Sequence, residues 1–276
     1  MKFALNFIQK FALAVLALAL LGPFSGGLWA RTLDDVIKSG TIRIGINVKI
    51  PPRGFLNDKN EPDGFEVDVA KELARRLGVK LEIVAADSNE RVPYVATDRV
   101  DAVLGGMTRT TERMKIIDFT VPISSDSYGI ITKKEFGIQR LADLNKDNIT
   151  IVMVRGTAVL PFVQALLPRA KFLLLESIPD RNRAFIQGRG QAIVDIIDSA
   201  MIVIGRTNPG IGLTVMATPE LRHTYSCIGV AKGNESMRTW LNAALYEMHN
   251  EGFIRNSWKT WFDREMDNYP RFTEYF

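Results

Sequence analysis

Apolar and polar positions along this chain follow two rhythms that keep replacing one another. After Thr32, a short turn with Leu33, Val36 and Ile37 apolar reads as a capped helix stopped at Gly40, and Ile42, Ile44 and Ile46 then alternate as a strand. A proline-bearing loop over 47–53 and a polar turn over 57–64 lead to Phe65, Val69, Leu73 and Leu77, whose spacing of four predicts an amphipathic helix ended by Gly78. A strand over 81–84 and a loop with a short helix over 88–97 complete this first series. An extended apolar piece from Pro122 through Tyr128 to Ile131 predicts a crossing into a second series. There, strands over 149–154, 172–175 and 192–197 alternate with helices over 157–167, 178–187 and 200–206, with a helical turn at 141–144 in front and an NPG turn at 208–210 behind. Another extended piece over 225–231 leads to a long helix over 236–251 and a Trp-rich one around Trp258 and Trp261. Strand and helix patterns in alternation predict an α/β protein with parallel crossovers, built as two comparable units side by side.

Residues 98–120, DRVDAVLGGMTRTTERMKIIDFT, change character three times. Val100, Ala102 and Leu104 alternate with polar partners and give way to Gly105 and Gly106, where bare backbone must approach something closely. Thr108 follows in a turn expected to be exposed, and Thr110 or Thr111 can cap a short helix carrying Glu112 and Arg113. Free N–H groups, a hydroxyl and a guanidinium therefore converge at one strand end, which is the equipment for gripping a carboxylate. The same pattern also fits a structural turn with Arg113 as a solvated charge.

Composition narrows the class. The start differs from the rest: Lys2 and Lys10 flank the beginning, residues 11–21 are continuously apolar, and Gly22, Pro23, Gly26 and Gly27 break the run. That is the layout of a cleavable signal peptide over 1–30, too short for the ~20 residues of a membrane span. Removing it leaves 33 Lys and Arg against 31 Asp and Glu, so near-neutrality gives no reason to invoke nucleic acid. Cys227 stands alone in CIGVA, which excludes an intrachain disulfide and reads as a buried small hydrophobe. Export without a lipid-bearing cysteine predicts a periplasmic protein, expected to be a monomer. The Trp-rich end reads as core packing, because Lys and Arg do not interleave with the aromatics.

Four segments carry a family resemblance: LDDVIKSGTIRIGI at 33–46, DGFEVDVAKELARRLG at 63–78, VDAVLGGMTRTTERMKIIDFT at 100–120 and NEGFIRNSWKTWF at 250–262. Together and in this order the chain resembles the periplasmic polar-amino-acid binding proteins, the solute-binding components of ABC importers. The resemblance implies the type II two-lobe periplasmic-binding-protein fold with two crossing hinge strands, lobe one over 31–125 and 225–276 and lobe two over 126–224. It implies that Arg113 binds the ligand α-carboxylate beside the Thr108 hydroxyl, and that Gly106 offers a carbonyl to the α-ammonium. RGTA at 155–158 matches the turn whose N–H groups meet the same carboxylate, which brings in Thr157 and Ala158. Asp198 matches the acid for the ammonium best, with Asp195 as its rival.

Selectivity is where the chain departs from that pattern. Arg53 follows Pro52 where an aromatic is frequent, and Ser88 stands where a second aromatic is frequent. SNERVP at 88–93 resembles the loop by which acidic-amino-acid binders offer a serine and an arginine, matching Ser88 and Arg91, although Asn47 stands where that subset has an arginine. A pocket holding Arg53, Arg91 and Arg113 favours an anionic or polar ligand; as plain residues, Arg53 and Arg91 fit surface charges equally well. The expected function is capture of an amino acid or similar small carboxylate between two lobes, for delivery to an ABC permease and its ATPase, with no cofactor and no metal. The rival is an enzyme on the same fold, a dehydratase of cyclic carboxylates, which needs a general acid in the cleft. His223, at the second crossing, and His249, in a packing helix, are the only histidines and neither reads as a poised base.

Overall fold

At Thr32 the side chain accepts a hydrogen bond from the Asp35 N–H and the Asp35 carboxylate accepts one from the Thr32 N–H, a reciprocal cap that starts the first helix where the apolar pattern placed it. The structure, a computed structural model, describes residues 30–218, 220, 221 and 224–270; the expected signal peptide, apart from its last residue, and His223 lie outside them.

The first half runs α1 (Leu33–Ser39), β1 (Thr41–Ile46), β2 (Lys49–Ile50), β3 (Gly54–Leu56), β4 (Pro62–Asp63), α2 (Phe65–Leu77), β5 (Lys80–Ala85), α3 (Arg91–Ala96), β6 (Ala102–Val103), α4 (Thr111–Met114) and β7 (Ile117–Asp126). The second runs β8 (Tyr128–Lys133), β9 (Thr150–Val154), α5 (Leu160–Leu166), β10 (Lys171–Leu175), α6 (Ile178–Ile186), β11 (Ala192–Ile196), α7 (Ile197–Thr207) and β12 (Leu213–Ala217). The chain then returns as β13 (Thr224–Ala231), α8 (Glu235–Asn250) and α9 (Phe253–Phe262).

Two five-stranded sheets result, ordered β5-β1-β6-β13-β7 and β10-β9-β11-β8-β12, with β2-β3-β4 as a small third sheet. The strands joined through helices pair in parallel, β1 with β5 and β6, and β9 with β10 and β11. The crossing strands do not: β13 runs antiparallel to β6 and β7, and β8 antiparallel to β11 and β12. Only Ser127 separates β7 from β8, so one extended run leaves the first sheet and enters the second without a helix to reverse it. This is the α/β architecture of two units and two crossing strands that the alternation implied. The three-stranded sheet was not foreseen, because its strands of two or three residues are too short for a period to be read, and β12 was not foreseen either.

Each sheet has its own core. In the first, Ile44, Phe65, Leu73, Leu241 and Trp258 are buried together; in the second, Ile130, Ile151, Met153, Val163 and Val194 are. Trp258 stacks on Phe262 at 3.9 Å and meets Phe65 edge-on at 5.3 Å, which makes the Trp-rich helix a packing element, as its sequence implied. Cys227 is fully buried, and burial pushes its thiol up to about 12. Among the described residues no helix is long and apolar enough to cross a membrane.

Candidate ligand-binding site

The loop after β6 is held open by a carboxylate from the neighbouring helix. Glu66, in the first turn of α2, accepts hydrogen bonds from the N–H groups of Gly105 and Gly106, the latter at 2.7 Å. Gly106 sits at φ 64, a left-handed conformation in which a Cβ is costly. Past this loop, the Thr110 side chain accepts from the Arg113 N–H at 3.2 Å and so starts α4.

That cap fixes Arg113 at the edge of the first half. Its Nη1 donates to the Thr108 carbonyl at 2.7 Å, and its Nη2 reaches the second half to donate to the Gly156 carbonyl at 2.9 Å. The halves approach closely at Gly156, where a Cβ would lie 3.1 Å from the Asn89 Cα. Thr108, expected in an exposed turn, is buried, and its hydroxyl shares a 3.3 Å hydrogen bond with the Tyr128 hydroxyl on the crossing strand. The loop folds back because Thr108 bridges to Ser226 of β13. Burial raises the Tyr128 pKa to about 12, so this phenol keeps its proton at neutral pH.

Between the halves lies a cavity of about 60 Å³. Its wall brings together Arg53, Ser88, Arg91, Gly106, Thr108, Arg113, Thr157, Ala158 and Asp195 from the sequence reading, and adds Ile50, Tyr128, Ile178, Arg181 and Ile196. Asp198 is not on that wall. β11 passes directly into α7 at Ile197, so positions 195 and 198 no longer share a face, and the buried Asp198 carboxylate accepts from Arg264 at 2.5 Å.

The arginines differ in what meets them. Arg53 is only 2% exposed; its guanidinium pairs with Glu66 at 3.4 Å and with Asp126, and lies over the Trp258 ring at 5.4 Å. Arg91 is buried too, yet its Nη1 donates to the Gly105 carbonyl and its Nε has no hydrogen-bond partner. Burial, and then the neighbouring Arg113 charge, push the Arg91 pKa down to about 10, which still leaves a cation at pH 7. Burial also lowers Arg113. Arg181 pairs with Asp195 and donates through Nη2 to the Asn182 side-chain oxygen at 2.9 Å.

Sequence reasoning passed over Glu66 and Arg181 because charged residues on amphipathic helices usually face water. Spacing held the signal: Glu66 precedes Val69 and Ala70 by three and four, and Arg181 precedes Ala184 and Phe185 likewise, which puts both on buried faces. His249 packs in α8 as expected, buried against the Pro122 carbonyl at 3.1 Å, with burial lowering its pKa to about 4.

Comparison with known proteins places this geometry among relatives. Residues 42–264 match the family described as bacterial extracellular solute-binding proteins, family 3. The L-cystine-binding protein TcyJ of Escherichia coli (strain K12) is 25% identical over 258 residues, covering 92% of this chain and 95% of that protein. A cyclohexadienyl dehydratase of Pseudomonas aeruginosa is 28% identical over 163 residues, 58% of this chain and 61% of the enzyme. Among solved structures, the ancestral amino acid-binding protein AncCDT-1, described as a precursor of cyclohexadienyl dehydratase, superposes with a TM-score of 0.76 at 29% identity, covering 84% of this chain and 100% of that one.

Proposed function

The chain belongs to the bacterial extracellular solute-binding proteins of family 3, and we propose that it captures an amino acid or similar small carboxylate between two lobes and hands it to an ABC import permease and its ATPase. Lobe one comprises residues 31–125 and 225–276 and lobe two residues 126–224, with the chain exported to the periplasm by a signal peptide over 1–30. The observation that carries the reading is Arg113, a guanidinium on one half whose second arm ends on a carbonyl of the other, at the wall of a cavity both halves line. A carboxylate bound there receives the planar fork of Arg113 from one side and the N–H groups of Thr157 and Ala158 from the other. Only the closed arrangement lets both halves touch the ligand, so binding shifts the population toward closure, the form a permease can recognise.

The dehydratase reading rests on the enzyme relative and requires a proton donor beside the ligand. Among the described residues the only carboxyl group on the cavity wall is Asp195, and it is tied to Arg181. Its engagement favours binding over catalysis. The test is calorimetry and thermal shift of the mature chain against amino acids, dicarboxylates and cyclic acids, with product analysis of each mixture. A ligand that raises the melting temperature and is recovered unchanged supports capture; conversion of a cyclic acid to product overturns it.

A further inference from the structure

The cavity wall carries Arg53, Arg91, Arg113 and Arg181 against a single carboxylate, Asp195. That carboxylate is already engaged. One oxygen accepts from Arg181, and the other accepts from the Ile196 N–H at 2.8 Å. Arg181 is itself 2% exposed and clamped from its other side by the buried Asn182 side chain, so the pair is a fixed part of the second half. The other nearby acids are committed as well: Glu66 and Asp126 to Arg53, and Asp198 to Arg264. The carbonyls that border the cavity also have donors. Gly105 receives Arg91, Gly106 receives the Thr108 N–H, and Thr108 and Gly156 receive Arg113.

Donors are in the opposite condition. Arg91 and Arg113 meet carbonyl oxygens and, among the described residues, form no ion pair, and the buried Nε of Arg91 has no acceptor at all. Two like charges held near each other at low dielectric repel, and neither is paired directly with a carboxylate among the described residues, although Glu66 and then Asp195 lie near enough to favour the Arg91 charge. An ammonium group entering this cavity would meet a single carboxylate, whose charge Arg181 already offsets, and would face the Arg181 cation as well.

We propose that the ligand is a short dicarboxylate without an α-amino group, one carboxylate on Arg113 and the other on Arg91, a refinement that rests on the capture function above. The cavity of about 60 Å³ limits its size, since at roughly 10–15 Å³ per water in the same measure it offers the room of about four to six waters.

Matched pairs test this without any variant: glutarate against glutamate and succinate against aspartate, each measured by calorimetry on the purified mature chain. The expected result is at least tenfold tighter binding of each dicarboxylate than of its amino counterpart. Equal or tighter binding of glutamate or aspartate overturns the inference while leaving the capture function standing; no binding by any of the four also overturns the inference, and the capture function is then decided by the wider ligand set above. Arg181→Met leaves the Asp195 carboxylate unpaired and should move the glutarate-to-glutamate preference at least tenfold toward glutamate; an unchanged ratio overturns the inference. Should that variant fail to fold by circular dichroism, Asp195→Asn serves instead. It removes a negative charge beside the ligand and should tighten glutarate severalfold, whereas weakened glutarate binding counts against the proposal.

Discussion

Arg53 and Arg113 border the same cavity, and the protein treats their charges in opposite ways. Arg53 is met by two carboxylates, Glu66 on α2 and Asp126 at the end of β7 in the first sheet, and backed by the Trp258 ring. Arg113 is met by two carbonyls, one from each half. A buried cation balanced by the protein's own carboxylates is a structural tie, since removing it strands two charges. A cation held in place by neutral dipoles keeps its charge available for an anion from outside. Position on a cavity wall therefore does not by itself make an arginine a ligand contact; the identity of its internal partners does.

The sharpest way to break this comparison is Arg53→Met. It leaves Glu66 and Asp126 buried without their cation and should cost about 3–5 kcal/mol in urea unfolding at pH 7. The loss should depend on pH with a definite sign. Burial already raises the Glu66 pKa above 4.5. A carboxyl whose folded pKa lies above its unfolded value binds more protons in the native state, so stability rises as pH falls toward the unfolded value. Without Arg53 this effect grows, and the deficit of the variant should shrink between pH 7 and about 4.5. A deficit below about 1 kcal/mol, or one that widens in acid, would mean that Arg53 is not the tie described.

Arg113→Ala should behave in the reverse manner. Losing the charge-assisted grip on a buried carboxylate is worth about 2–5 kcal/mol of affinity, so binding should weaken by at least about a hundredfold in calorimetry. Unfolding of the ligand-free chain should change by no more than about 1–2 kcal/mol, because only hydrogen bonds to carbonyls are lost. Retained affinity would remove Arg113 from the site.

Arg91→Leu lies between the two and separates them further. Arg91 has no directly paired carboxylate, and burial with the Arg113 charge outweighs the favourable charges of Glu66 and Asp195, so the substitution takes away a disfavoured buried cation and the free protein should be no less stable. Binding of a dianion should weaken about tenfold, or ~1.4 kcal/mol, while a monocarboxylate loses much less. Equal losses for both would show that Arg91 serves the fold alone.

The frame of this molecule was readable in its apolar spacing. Phe65, Val69, Leu73 and Leu77 define α2 to the residue, and Ile42, Ile44 and Ile46 lie within β1. The site was readable in part, because GGMTRTTER concentrates turn, cap and guanidinium within a few positions. What sequence could not show was pairing over long separations. Arg53 and Asp126 stand 73 positions apart, and Arg264 and Asp198 stand 66 apart, so nothing local announces that one charge is neutralised and another is not. The choice between Asp195 and Asp198 stayed open in the sequence for a related reason: it turns on whether a strand ends in a loop or passes straight into a helix, and IVDIIDSA reads equally well both ways.

The mildest test concerns how Arg113 is aimed. Thr110 contributes no charge and does not line the Arg113-bearing cavity, but its hydroxyl accepts from the Arg113 N–H at the start of α4. Thr110→Ala removes that cap and should cost about 1 kcal/mol of stability in urea unfolding. Because α4 spans only Thr111–Met114, the first turn is nearly the whole helix, and loosening it loosens the base from which the guanidinium reaches Gly156. Affinity should then fall severalfold through a less well-placed Arg113, and Thr110→Ser, which keeps the accepting oxygen, should restore it. An affinity drop that serine fails to rescue would place the effect in the lost methyl group, and the aim of Arg113 would have to come from its carbonyl contacts alone.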